Sequence, residues 1–117
     1  MREIKFYKTS SGASPIKDFL DGLSPKKVQK VAWVLELIEE LDVVPKQYFK
    51  KLPGTDDIWE VRVIQGGESF RLLGFWDESK FIVLVHAFKK KTQKVKRRDI
   101  DLAERRKRDY LKRKRDE

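Results

Sequence analysis

The chain has 117 residues, 39% of them hydrophobic with three Trp and seven Phe, which fits one folded domain with a modest core and excludes a disordered chain. The lack of cysteine and the single histidine exclude a disulfide framework and a thiolate metal site, and leave a structural zinc ion without ligands. The net charge of +9 lies wholly in the last quarter: residues 89–117 carry 15 Lys+Arg against 6 Asp+Glu, whereas residues 1–88 balance to zero.

"EIKFY" (3–7) alternates and is short, so it reads as an opening strand. The segment "MREIKFYKTS" has no apolar run of the kind a secretion signal needs, and no stretch approaches the ~18 apolar residues of a membrane span. A cytoplasmic location is therefore expected, with no membrane partner. Ser14-Pro15 and Ser24-Pro25 predict two helix starts, with Ser as N-cap and Pro at the first helical position. The first helix covers about 15–22. The second covers about 25–41, with Val28, Val31, Ala32, Leu35 and Ile38 as its apolar stripe, widened by Trp33, Val34, Leu37 and Leu41. Residues 43–57, with two prolines and a Pro53-Gly54 turn signal, read as a connector. Three strands follow, at 58–64, 69–76 and 80–88, joined by hairpin turns at Gly66-Gly67 and within "DESK". A basic helix then runs from about Lys96 to the end. The expected fold is α+β: one domain over 1–117 in which an N-terminal strand and two helices pack on an antiparallel sheet, with a basic C-terminal helix at about 96–117.

Two-residue turns at Gly66-Gly67 and Glu78-Ser79 fix a register on paper. One face then reads Trp59–Gly74–Val83, Val61–Leu72–Val85 and Val63–Phe70–Ala87, all apolar or glycine, and is expected to pack on the helices. The other face carries the row Arg62–Arg71–His86, with Lys89, Lys90 and Lys91 leaving the last strand at the same end. Like charges directly opposite on a sheet repel, here by about 3 kcal/mol at an effective dielectric near 20. A phosphate held between the two guanidinium groups would reverse that sign. Pairing of each Arg with a nearby carboxylate, Glu60 or Glu68, is the plainer alternative. His86 in such a row is disfavoured as imidazolium, and a neutral imidazole could serve as a general base.

"IWEVRV", "FRLLGFW", "FIVLVHAFKKKTQK" and "RRDIDLAERRKRDY", in that order, resemble the phage-derived Gp49-like group of HigB toxins in the RelE/ParE superfamily. The likeness covers roughly residues 58–110. It implies a small toxin of a type II toxin–antitoxin pair, neutralised by a HigA-like helix-turn-helix antitoxin. The HigB/RelE branch enters the ribosomal A site and cuts mRNA there; the ParE branch shares the fold and instead poisons DNA gyrase. Glu60, Arg62, Arg71, His86, Lys90, Lys91, Thr92 and Gln93 match the Gp49-like pattern. The chain departs from it after Gln93, with Lys94-Val95-Lys96 in place of Lys-Thr-Pro. It also departs from RelE, whose corresponding strand carries lysines where Glu60 and Arg62 stand.

RNA supplies its own nucleophile, the 2′-OH, so cleavage calls for no cofactor or metal from these residues. Arg62, Arg71, Lys90 and Lys91 suit stabilisation of charge on the phosphate, with His86 as the candidate base. Lys50, Lys51, Lys89, Thr92, Gln93, Lys94, Arg97 and Arg98 suit contacts that hold the RNA backbone. Arg71→Ala is expected to abolish activity with the fold intact. A plain basic nucleic-acid-binding module is the remaining alternative, with the last helix a solvated face.

Overall fold

The computed structural model describes residues 2–117. In chain order its elements are β1 (Glu3–Phe6), α1 (Pro15–Asp21), α2 (Pro25–Glu40), β2 (Phe49–Lys51), β3 (Trp59–Gln65), β4 (Glu68–Asp77), β5 (Phe81–Lys90) and α3 (Arg97–Arg115). The fold is α+β, and the strands form one sheet in the order β1-β5-β4-β3-β2. β1 runs parallel to β5, and the other neighbours are antiparallel, so the sheet is mixed rather than purely antiparallel. β2 forms inside the segment expected to be a connector. Its three residues, Phe49–Lys51, pair with Val61, Glu60 and Trp59, too short a run to leave a periodic signal. No helix among the described residues is long and apolar enough to cross a membrane.

Both faces of the sheet are covered. α1 and α2 bury Ile16, Val31, Val34 and Ile38 against Val61, Val63, Phe70, Leu72, Ile82 and Leu84. Each such side chain contributes roughly 1.5–3 kcal/mol on leaving water. Ser14 and Ser24 occupy the N-cap positions with Pro next, but neither hydroxyl caps the helix, so preset proline geometry starts both helices. Three expected core positions of the second helix face out: Ala32 is exposed, Trp33, 44% exposed, lies edge-on to Tyr48, and Leu41, the C-cap of α2, is exposed.

On the other face α3 buries Ala103 over Ile58, Leu73, Phe75, Val83 and Val85. Polar latches hold it there. Tyr7 donates to Asp109 (2.6 Å), Tyr110 to Asp77 (3.1 Å), Arg106 to the carbonyl of Val85 (2.7 Å), and the amide of Asp56 to Glu104 (2.8 Å). This face, expected to be an open surface, is open only at the end that carries Arg62 and Lys90.

The β3–β4 register is the expected one, with Gly66 and Gly67 both at positive φ in the turn and Arg62 opposite Arg71. The β4–β5 register differs. Asp77 pairs with Phe81 across a three-residue loop in which Glu78 and Ser79 take positive φ, which shifts the pairing by one residue. A bulge then shifts it again: Gly74 pairs with Leu84 and Leu73 with His86, leaving Val85 as the extra residue. A one-residue shift inverts every side chain, so Ile82 and Leu84 face α1 and α2 while Val83 faces α3, opposite to expectation. Val85 also faces α3. Beyond the bulge the faces return: His86 and Phe88 lie on the α3 side as expected, and Ala87 on the other. Arg71 is opposite Phe88, and His86 is opposite Leu73, so the row Arg62–Arg71–His86 does not exist.

Gly74 makes the bulge possible. A Cβ there would lie 2.4 Å from the Val83 carbonyl oxygen and 3.0 Å from Leu84 Cδ2. Backbone cannot give way as a flexible side chain would, so Gly74→Ala is expected to cost about 2–3 kcal/mol, measurable as a lower urea midpoint.

Candidate nucleic-acid interface

At the open end, the register places Arg62 beside Arg71 and Lys50 beside Glu60. Glu60 occupies the place expected for a bound phosphate. Its carboxylate lies 3.2 Å from Arg71 Nε and 3.5 Å from Arg62 Nε, and both Glu60 and Arg71 are only 3% exposed. Arg71 also donates from Nη1 to Ser69 Oγ and to the carbonyl of Phe70. The plainer alternative, carboxylate pairing, therefore holds, although Arg71 is sealed rather than solvated. Burial lowers the Arg71 pKa, partly offset by Glu60. This ion pair is the floor of the site, with Glu60 lining the cleft and Arg71 sealed beneath it.

Above that floor is a cleft with two lobes. One, of about 430 Å³, is lined by Lys50, Glu60, Arg62, Lys90, Gln93 and Lys94 beside the apolar Leu52, Val95 and Ile100. The second, of about 320 Å³, is lined by Phe88, Lys89, Lys90, Lys91, Thr92, Lys94, Lys96, Arg98 and Asp99. Lys90 and Lys94 belong to both lobes. Most residues expected to hold RNA are thus brought together, by the β2 edge, the end of β5 and the turn before α3. Lys51 and Arg97 are not: neither lines the cleft, and they pair with Asp57 and with Asp101 and Glu104 respectively.

Lys90 is electrostatically distinct. Its partly buried ammonium is disfavoured first by loss of solvent and then by Arg71, Arg62 and Lys50, with Glu60 opposing, so its pKa lies below that of an ordinary lysine. Among the lysines of the cleft, Lys90 is thus the one whose charged form its surroundings disfavour.

His86 lies elsewhere. Its Nε2 is 2.8 Å from Asp99 Oδ1 in the first turn of α3, its ring stacks on Phe88, and it lines neither lobe. The imidazole fastens the start of α3 to β5, and the candidate base is displaced from the phosphate-binding groups. Asp99 went unread in the sequence because its partner, His86, is revealed only where α3 packs on β5; Ser69, whose partner Arg71 lies two residues along the same strand, is a hydroxyl that carries no signal of its own.

Glu68 closes the far rim. It accepts from the ammonium groups of Lys27 at the start of α2 and Lys89 at the end of β5. These hydrogen bonds, Lys27 first, lower its pKa from 4.5 to about 2. A carboxylate with a depressed folded pKa stabilises the fold above its unfolded pKa and loses that contribution as pH falls through the folded one. The stability advantage of the parent over Glu68→Gln is therefore expected to be full above pH 4.5 and to fade towards pH 2. Thermal melts of the two proteins across that range check it.

A family profile described as "Phage derived protein Gp49-like (DUF891)" matches residues 18–108, from α1 through most of α3. A search of curated proteins gave no match. The matched span holds the cleft, its ion-paired floor and most of the two cores, and the chain belongs to the Gp49-like family, a RelE/HigB-like toxin family.

Proposed function

We propose that this protein is the toxin of a type II toxin–antitoxin pair and a ribosome-dependent mRNA endoribonuclease, restrained by a HigA-like helix-turn-helix antitoxin. The observation that carries the reading is the cleft in which Lys90, with its lowered pKa, stands among Arg62, Lys50 and Lys94 over a buried ion pair. Such a cleft fits a phosphodiester and supplies the groups that its transesterification needs.

In this reading the free amine of Lys90 takes the 2′-OH proton and the 2′-oxygen attacks the adjacent phosphorus. The bond from phosphorus to the 5′-oxygen breaks, leaving a 2′,3′-cyclic phosphate. The 5′-oxygen takes a proton from the ammonium of Lys94, which lines both lobes. Arg62 stabilises the charge that grows on the non-bridging oxygens. Lys50, Lys89, Lys91, Thr92, Gln93 and Arg98 hold the strand. Arg71 keeps Glu60 in place and depresses the Lys90 pKa without touching RNA, and His86 positions α3. DNA, which lacks the 2′-OH, is not cut.

Primer extension on an mRNA under translation, with and without the protein, tests the proposal. New 5′ ends at codon boundaries are expected with the parent and not with Arg62→Ala. Intact mRNA together with inhibited supercoiling by gyrase would replace this reading with the ParE-like one.

A further inference from the structure

α3 sorts its ten basic residues into two sets of five. One set is consumed inside the molecule. Arg97 pairs with Asp101, Lys107 donates to the carbonyl of Asp56, Arg113 pairs with Asp109, and Lys114 pairs with Asp77. The fifth, Arg106, holds the bulge carbonyl of Val85. The other set is Arg98, Arg105, Arg108, Lys112 and Arg115. All five are exposed, and none has an ion-pair or side-chain hydrogen-bond partner among the described residues.

Their spacing puts them on one face. Steps of seven, three, four and three residues follow the helical repeat and make a single stripe about 26 Å long. Like charges at such spacing destabilise a helix, and no ion pair among the described residues takes up these five. A face that serves solubility mixes both signs. The acidic residues of α3 near this stripe, Asp101 and Asp109, are already paired with Arg97 and Arg113.

We infer that the outer face of α3 is a docking rail for the phosphate backbone of a double-helical RNA, contiguous with the cleft and separate from the strand that the cleft holds. Four of the five cations are arginines, whose planar forks match phosphate oxygens. A protein partner needs aromatic or apolar anchors, and Leu111 (37% exposed) is the single one alongside. The rail begins at Arg98, which also lines the cleft with Lys94 and Lys96. A folded RNA can therefore lie along α3 while a single-stranded segment enters the cleft. The inference extends the RNA reading of the preceding section but does not require cleavage.

The test is binding of a blunt RNA duplex of about 16 base pairs, long enough to present successive grooves, followed by fluorescence anisotropy over a salt series. The variant carries Arg105→Ala, Arg108→Ala, Lys112→Ala and Arg115→Ala. It is expected to bind at least tenfold more weakly than the parent at near-physiological salt. The slope of log K against log salt is expected to fall by about 3.6, from four lost phosphate contacts. A charge-matched variant with Lys8, Lys17, Lys26 and Lys80 changed to Ala is expected to keep most of the parent's affinity. Equal weakening of both variants, or none in the first, would overturn the rail. Should the fourfold variant fail to fold, Arg108→Ala alone is expected to lower the slope by about 1, and an unchanged slope overturns the inference equally. Absence of mRNA cleavage by the parent would count against the nuclease reading and leave this measurement valid.

Discussion

Glu60→Ala is expected to lower the unfolding free energy by about 3–5 kcal/mol, because it strands a buried guanidinium without its counter-ion. Arg71 would keep its hydrogen bonds to Ser69 and to the Phe70 carbonyl. It would face Arg62 across the sheet with no carboxylate between them. Urea unfolding measures the loss. Two further variants separate its parts. Arg62→Met in the Glu60→Ala background removes the repulsion and is expected to recover part of the stability. Joint replacement of Glu60 and Arg71 by Met removes both buried charges and is expected to recover more. A loss below about 1 kcal/mol in Glu60→Ala would show that the carboxylate is not the counter-ion, since breaking a buried pair costs several times that. Arg71→Ala follows the same logic in reverse and strands Glu60. It is therefore expected to act first on stability, not to leave an intact but silent protein as the sequence had suggested.

Lys90→Met is expected to reduce the cleavage rate by about 10²–10⁴-fold while leaving the melting temperature near that of the parent, the range typical of a lost proton-transfer group. The pH profile gives a finer check. Lys50 is among the cations that lower the Lys90 pKa. Lys50→Met removes one of them, so the pKa rises and the free-amine fraction at neutral pH falls. The acidic limb of the rate–pH profile is then expected to move to higher pH, measured in a reconstituted translation system. A limb that stays in place would exclude Lys90 as the base even if the rate falls, because Lys50 would then act only as an RNA contact.

The sequence made the helices and β3–β4 legible because each rests on a local signal: Ser-Pro at the helix starts, apolar spacing along α2, and Gly66-Gly67 with the positive φ that such a turn demands. β4–β5 carried no comparable signal. Its loop uses Glu78 and Ser79 at positive φ, residues that do not announce that conformation. The bulge depends on Gly74, which reads equally well as an ordinary apolar-face position. Two single-residue shifts returned His86 to its expected face, but not to its expected row. The cleft was legible as a cluster of basic residues at one end of the sheet, since chain order alone gathers residues 89–94 there. Its floor was not, because a buried carboxylate between two arginines looks in sequence like any alternating charged strand. Which cations of α3 face inward was likewise hidden, since their partners, Asp56 and Asp77 among them, come from distant segments.

The extra residue of β5 also bears on how such a chain tolerates deletion. Without Val85, Leu84 and His86 would become consecutive, and each would keep its partner, Gly74 and Leu73. The strand would then alternate regularly, with every remaining side chain on its present face. Val85 is thus a residue the sheet could lose without re-registering. What a deletion would take away is the buried Val85 side chain beneath α3 and the backbone carbonyl that Arg106 grips. Relatives that lack this residue would be expected to carry a shorter or apolar side chain at the position of Arg106, the two changes occurring together.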